Sequence, residues 1–310
     1  MPKSYHPISE ADAAAMAGFR AMLASQPALH ITPETREFFD QMIAATPAAE
    51  EVTYAAGSVG GIPGWWCHPR DAAPRAAILY LHGGGYVIGS AAAYRHPVGQ
   101  IAASSSVSAF VADYRLAPEH PFPAAIEDAL AAYDGLVEQG AAQIVIAGDS
   151  AGGGLTLALC AALAVSSAAK PSAAVAISPL TDLTASGESC RTRAAADPIL
   201  SRDEILACAA TYLAGADPAD PRASPLFAPA SGLPPVQIHV GEDEVLLDDS
   251  TRFADLVERA GGSADLHVWE GMPHVFTSSI AMFETARSAS QMIGTFIADR
   301  VAVASQENSR

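Results

Sequence analysis

The sequence predicts an α/β fold in which a mainly parallel sheet is flanked by helices, and three observations lead to it. From residue 52 onward, short apolar runs alternate with helical stretches, the pattern of βαβ units. The later runs lack polar alternation, as strands covered on both faces do. The interval 182–232 breaks the rhythm with a helix and a Pro-rich stretch but no strand, so it reads as an insertion above the sheet.

Residues 9–46 come first and read as two helices, Glu10–Ser25 and Pro33–Ala45, with nothing strand-like before or between them. Thr32 as N-cap, Pro33 at the first helical position and Glu34 in the first turn open the second helix. Val52–Ala56 and Ile62–Cys67 follow as a strand pair. The buried strands are then Ala76–Leu81, Val107–Ala112, Ile144–Ala147, Ala174–Ile177, Val236–Val240 and Leu266–Trp269. Helices fit between them at about 94–104, 124–139, 151–166, 250–261 and 279–302. Inside the insertion lie a helix near Arg202–Leu213 and the Pro-rich stretch Asp217–Pro235. A chain of 310 residues suits one α/β domain with a small appendage. The expected division is an N-terminal helical segment, 1–48, and a catalytic domain, 49–310, that carries 182–232 as its insertion.

A net charge of −17, with no Lys/Arg cluster to override it locally, repels nucleic-acid phosphate and anionic membrane surfaces. Nucleic-acid binding is therefore excluded, and the charge reads as a solvated acidic surface. Half the residues are apolar, yet no run approaches the roughly 18 needed to span a bilayer. Leu155–Val165, the most apolar stretch, has the length of a buried core helix. Cys67, Cys160, Cys190 and Cys208 form no CxxC pair, so neither a metal nor a redox cofactor is expected. Met1–His6 lacks the charged-then-apolar pattern of a secretory signal, which makes the cytoplasm the default location.

The strongest local signal is Gly148-Asp149-Ser150-Ala151-Gly152, a G-x-S-x-G pentapeptide between a strand and a helix. A serine on so tight a turn needs small neighbours, and the helix start places partial positive charge beside it. Ser150 is the candidate nucleophile. A second signal, His82-Gly83-Gly84-Gly85, directly follows the Ala76–Leu81 strand. Backbone N–H groups in such a turn can aim at an oxyanion without side-chain obstruction. A phosphate loop is the competing reading, but no GK[ST] follows and no acidic ribose partner is placed for a dinucleotide.

These motifs, His82-Gly83-Gly84-Gly85-Tyr86, Asp113-Tyr114-Arg115-Leu116-Ala117-Pro118-Glu119 and Gly148-Asp149-Ser150-Ala151-Gly152, resemble the bacterial hormone-sensitive-lipase family of esterases and lipases. The resemblance spans nearly the whole chain. It implies an α/β-hydrolase fold with a small helical cap made from the N-terminal helices and 182–232. It also implies an oxyanion hole formed by the N–H groups of Gly84, Gly85 and Ala151, with His82 organising the loop.

In this fold the base follows the nucleophile and the acid in chain order and lies past the last strand. His274, in Gly271-Met272-Pro273-His274-Val275-Phe276, meets both conditions and resembles the family's G-x-x-H-x-F. His239 and His267 lie inside strands, and the remaining histidines precede the serine. The acid is harder to assign, because Glu242, Asp243, Glu244, Asp248 and Asp249 crowd one loop. Matching the family's D-P-L-x-D-E to Leu246-Leu247-Asp248-Asp249 puts Glu244 in the catalytic position, where aspartate is commoner; Asp243 is the alternative. Either carboxylate can accept the imidazole N–H.

The expected function is carboxylesterase action on an uncharged small-molecule ester, of short to medium chain or a lactone, through an acyl-enzyme intermediate. No cofactor is required. An amidase or carbamate hydrolase on the same triad is one alternative. A ligand receptor of the same fold is another, which the presence of His274 argues against. Candidates to face the acyl group are Phe19, Met22, Phe38, Phe39, Met42, Leu206 and Tyr212, with Tyr86 and Val87 beside the hole. The resemblance also implies a homodimer built through the last strand, Leu266–Trp269.

Overall fold

The apolar runs become the middle of one nine-stranded sheet in a computed structural model that describes residues 3–26, 30–166 and 168–307. Its strands are β1 (Ser4–His6), β2 (Val52–Val59), β3 (Ile62–Pro69), β4 (Ala76–Leu81), β5 (Ser108–Ala112), β6 (Gln143–Asp149), β7 (Ala173–Ile177), β8 (Val236–Gly241) and β9 (Ala264–Trp269). Their order across the sheet is β1-β9-β8-β7-β6-β4-β5-β3-β2. The β2/β3 and β3/β5 pairings are antiparallel and all others parallel.

Both faces of the central strands are dry, which is why their sequences show no alternation. In β4, Ala77, Leu79 and Leu81 join one core cluster, while Ala76, Ile78 and Tyr80 join another. The first cluster is closed by α4 (Ala124–Glu138), α5 (Ser150–Val165) and α8 (Leu247–Arg259). The second is closed by α3 (Ala91–Ser105) and α9 (Glu284–Glu307). Leu155, Leu157, Leu159 and Cys160 of α5 are all fully buried, as expected of a core helix. Among the described residues no helix is long and apolar enough to cross a membrane.

Two helices precede β2: α1 (Glu10–Ala24) and α2 (Arg36–Ala44), the latter entered through a 3-10 turn at Pro33–Thr35. The 182–232 interval holds no strand, only α6 (Ser189–Thr192), α7 (Arg202–Leu213) and a 3-10 turn at Pro225–Phe227. The two segments touch each other, since Ile31 N–H donates to Glu204 of α7 at 2.6 Å. Helix α1 also reaches α9, where the buried carboxylate of Asp12 accepts from Glu284 N–H and Thr285 N–H, both at 2.8 Å. That distant cap starts α9 at Glu284 rather than near 279.

Two further sequence expectations change. The first strand of the β2/β3 hairpin does not stop at Ala56: it runs through Gly57 to Val59, because the Trp66 indole on the neighbouring strand packs over the glycine. More consequential is β1, where no strand is expected. It pairs parallel with β9 in the register Ser4↔His267, Tyr5↔Val268 and His6↔Trp269. Three residues carry no readable periodicity. What holds them is tertiary: the His6 ring stacks on Trp269 at 3.8 Å and bonds His267 at 2.9 Å. The outer edge of β9 is thus covered over this stretch, and a dimer through that edge would have to displace β1.

Candidate active site

The candidate triad residues and the glycine loop leave the carboxyl ends of parallel strands, where ligands gather in open α/β sheets. Gly83–Gly85 follow β4, Ser150 follows β6, Glu244 follows β8 and His274 follows β9. Residues far apart in sequence therefore meet. His274 Nε2 lies 2.9 Å from Ser150 Oγ, and His274 Nδ1 lies 2.8 Å from Glu244 Oε2.

Ser150 sits at the first position of α5 with a left-handed φ of 53°, a strain of about 1–3 kcal/mol for a non-glycine residue. The turn is possible only because its neighbours are small. A Cβ on Gly152 would collide with the carbonyls of Leu81 and His82, so the helix start packs directly against the end of β4. The first N–H groups of a helix have no intrahelical acceptor, and that of Ala151 is among them.

The glycine loop is held from several sides. Gly84 O accepts from Val87 N–H and Ile88 N–H, both at 3.0 Å, which curls the loop back on itself. Gly85 has φ 62°, and a Cβ there would stand 2.6 Å from Cys208 Sγ and 3.3 Å from Ile31 Cγ2. A residue of the N-terminal segment and one of the 182–232 insertion thus both stand against this glycine. The Cys208 thiol is pushed up to about 12 by burial, which leaves it an inert wall. His82 stacks on Tyr114 at 4.4 Å with its Nδ1 2.8 Å from Gly83 O, and Tyr114 OH donates to His82 O at 2.7 Å. Asp149, fully buried, accepts from Tyr80 OH, Tyr94 OH and Gly83 N–H at 2.9, 3.0 and 3.1 Å. Burial raises its carboxyl above the usual range, against the pull of the two tyrosine hydroxyls.

The Asp113–Glu119 segment proves to be scaffolding for this loop. Asp113 accepts from Ala91 N–H at the start of α3 at 2.6 Å, and Arg115 forks onto Asp128. Glu119 takes both Nη groups of Arg36, whose Nε donates to Val87 O at 2.8 Å. Sequence reasoning missed Arg36, because nothing in helix α2 announces which distant carbonyl its guanidinium will reach.

The acid loop resolves cleanly. Glu244 is fully buried and reaches His274, whereas Asp243 pairs with Arg20 of α1 at 2.7 Å. Arg20 also donates to Ala196 O in the insertion. Glu242 pairs with Arg193, and Asp248 accepts from Ser189 N–H. Asp249 is fully buried and accepts from Thr181 N–H and Asp182 N–H at 2.7 and 3.0 Å. Burial would lower His274, but its hydrogen bond to Glu244 and that carboxylate's charge outweigh it, so the imidazole titrates above its ordinary value.

Asp249 supplies a test of the loop's electrostatics. Burial raises its carboxyl to about 7 from an ordinary 3.8. Between those values the folded chain holds a proton that the unfolded chain releases, so stability falls as pH rises through that window. Asp249→Asn, which keeps the acceptor and removes the charge, is expected to match the wild type near pH 4. At pH 8 it should melt a few degrees higher. Thermal scans at the two pH values decide it, and a variant less stable at pH 8 would contradict the assignment.

The pocket candidates scatter. Tyr86 and Tyr212 stack face to face at 3.9 Å and are buried, with Val87 buried beside them. Phe38 is 52% exposed on α2; Met22 and Met42 also face outward, and Phe19 packs edge-on to Phe283. Among the described residues no group of three or more His, Cys, Asp or Glu could hold a metal.

A family profile described as the alpha/beta hydrolase fold matches residues 78–278. An acetyl-hydrolase of Streptomyces hygroscopicus is 39% identical over 242 residues, covering 77% of this chain and 81% of its own. An esterase of Acinetobacter venetianus is 34% identical over 281 residues, 89% of this chain and 92% of that one. Among solved structures, an esterase of the bacterial hormone-sensitive lipase family superposes with a TM-score of 0.88 at 37% identity, over 97% of this chain and 100% of the other. An esterase/lipase from an uncultured bacterium superposes at 0.87 with 39% identity, over 93% and 99%. With this fold and these relatives, the chain belongs to the bacterial hormone-sensitive-lipase family of α/β-hydrolases and is an esterase of the serine-hydrolase type.

Proposed function

We propose that the protein is a carboxylesterase for short- to medium-chain esters, small lactones included, working through a Ser150–His274–Glu244 triad. The observation that carries this is the unbroken relay from Ser150 Oγ through His274 to a buried carboxylate. His274 Nε2 takes the Ser150 proton as Oγ attacks the ester carbonyl. The N–H groups of Gly84, Gly85 and Ala151 receive the developing oxyanion. His274 then passes the proton to the leaving alcohol, and the acyl group stays on Ser150 until a water, deprotonated by the same imidazole, releases it. Glu244 holds the ring in the tautomer that presents Nε2 to the serine and stabilises the imidazolium.

The segments 1–48 and 182–232 form the cap in this reading. Cys208 and Ile31, close against Gly85, favour a small substrate group there, with Tyr86, Val87 and Tyr212 as the candidate walls beside it. The relative described as an acetyl-hydrolase fits the same size limit. The four thiols, all free and buried, suit a reducing compartment, and we place the protein in the cytoplasm.

A p-nitrophenyl ester ladder from acetate to palmitate tests the reading. The expected kcat/KM is highest among the short chains and at least about tenfold lower at palmitate. A rate that climbs with chain length would refute the size limit. Turnover of a matched anilide as fast as the ester would move the assignment to an amidase.

A further inference from the structure

Glutamate carries one more methylene and one more free torsion than aspartate, so a catalytic carboxylate at its end must be held from outside. Both oxygens of Glu244 are engaged. Oε2 faces His274 Nδ1, while Oε1 accepts from Gly241 N–H at 2.6 Å and from the Ser178 hydroxyl at 2.7 Å. Ser178 is fully buried directly after β7, with a left-handed φ of 46°, and its N–H donates to His239 O at 2.7 Å. Its one hydroxyl proton goes to Glu244, and the same oxygen accepts from Val275 N–H at 3.1 Å. Val275 follows His274 and is itself left-handed, at φ 53°. A single hydroxyl therefore ties the acid side chain to the backbone that carries the base, across the ends of β7, β8 and β9.

We propose that Ser178 is a positioning residue of the triad, acting through Glu244 and the His274 loop and not on the substrate. In this role it allows a glutamate to serve as the acid. The inference rests on the triad reading above.

Four proteins assayed on p-nitrophenyl butyrate across the pH range test it: wild type, Ser178→Ala, Glu244→Gln and the double variant. Ser178→Ala is expected to lower kcat roughly 10- to 100-fold, the scale seen when outer-shell partners are removed, with KM within about twofold of wild type. The acid limb should move down by about half a pH unit or more, since a carboxylate free to swing no longer supports the imidazolium. In the Glu244→Gln background, Ser178→Ala should cost less than about threefold further, because its partner is already gone. Ser178→Gly, at ease with a left-handed φ, removes the same hydroxyl without strain and should repeat the profile even if the alanine variant folds poorly. An acid limb that stays put or rises, or a full loss repeated in the Gln background, overturns the proposal and leaves the triad standing. Glu244→Gln at the wild-type rate overturns both.

Discussion

Ser150→Ala is expected to lower kcat for p-nitrophenyl acetate by about 10^5-fold, the scale on which serine triads lose turnover without their nucleophile. The size of the loss follows from the geometry. Oγ is the one atom of this residue that both faces His274 Nε2 at 2.9 Å and can bond the acyl carbon. The glycine loop and the start of α5 stay in place without it, so weak water-based turnover above background should remain. Stability should change by only about 1 kcal/mol, because alanine keeps the backbone turn and loses a single part-buried hydroxyl with its one hydrogen bond to His274. A sulfonyl fluoride should add one adduct to the wild type, at Ser150, and none to the variant, by mass spectrometry. Activity within tenfold of wild type would mean that the nucleophile lies elsewhere.

The second large effect separates two neighbouring carboxylates. Glu244→Gln is expected to cost roughly 10^3- to 10^4-fold in kcat, since an amide facing Nδ1 stabilises the wrong tautomer and cannot support the imidazolium. Asp243→Asn should cost less than about threefold, because its carboxylate is only a partly exposed partner for Arg20. A pH profile strengthens the distinction. With His274 as the proposed base, activity should require the neutral imidazole and be lost as pH falls through its titration. Glu244 holds that titration above the ordinary histidine value against burial. Removing the charge leaves burial unopposed, so the acid limb of kcat/KM should shift to lower pH in Glu244→Gln and stay in Asp243→Asn. The reverse pattern would transfer the acid role to Asp243.

Much of this site is legible in the chain because its demands are local. Ser150 needs small neighbours and a strand-to-helix turn, and both requirements are written within five consecutive residues. The glycine loop is readable for the same reason. His274 follows from chain order and from its place past the last apolar run, and the structure does bring it between Ser150 and Glu244. The acid was the harder choice: the loop offers five carboxylates, and composition cannot say which one turns inward. Position decides that, with Asp243 drawn to Arg20, Asp248 to Ser189 and Asp249 beneath Thr181.

Other partners left no trace in the sequence. Ser178 lies 66 residues from Glu244 and 97 from Val275, and a serine after a buried strand has many uses. Nothing around Arg36 or Arg20 in the chain announces that the fold sets Val87 O and Asp243 in front of them. Strand β1 is too short to carry a period and exists because Trp269 and His267 receive His6. Tyr86 and Tyr212, both pocket candidates, stack on each other, a pairing across two distant segments that neither segment announces. By itself the sequence determined the α/β order and singled out Ser150, the glycine loop and His274 as candidates, since these depend on backbone geometry and periodicity within a few residues. A motif match already pointed to Glu244, but only the tertiary structure shows which hydroxyl meets that carboxylate and what covers the last strand, because each is a pairing across tens of residues that exists only once the sheet has set their strand ends side by side.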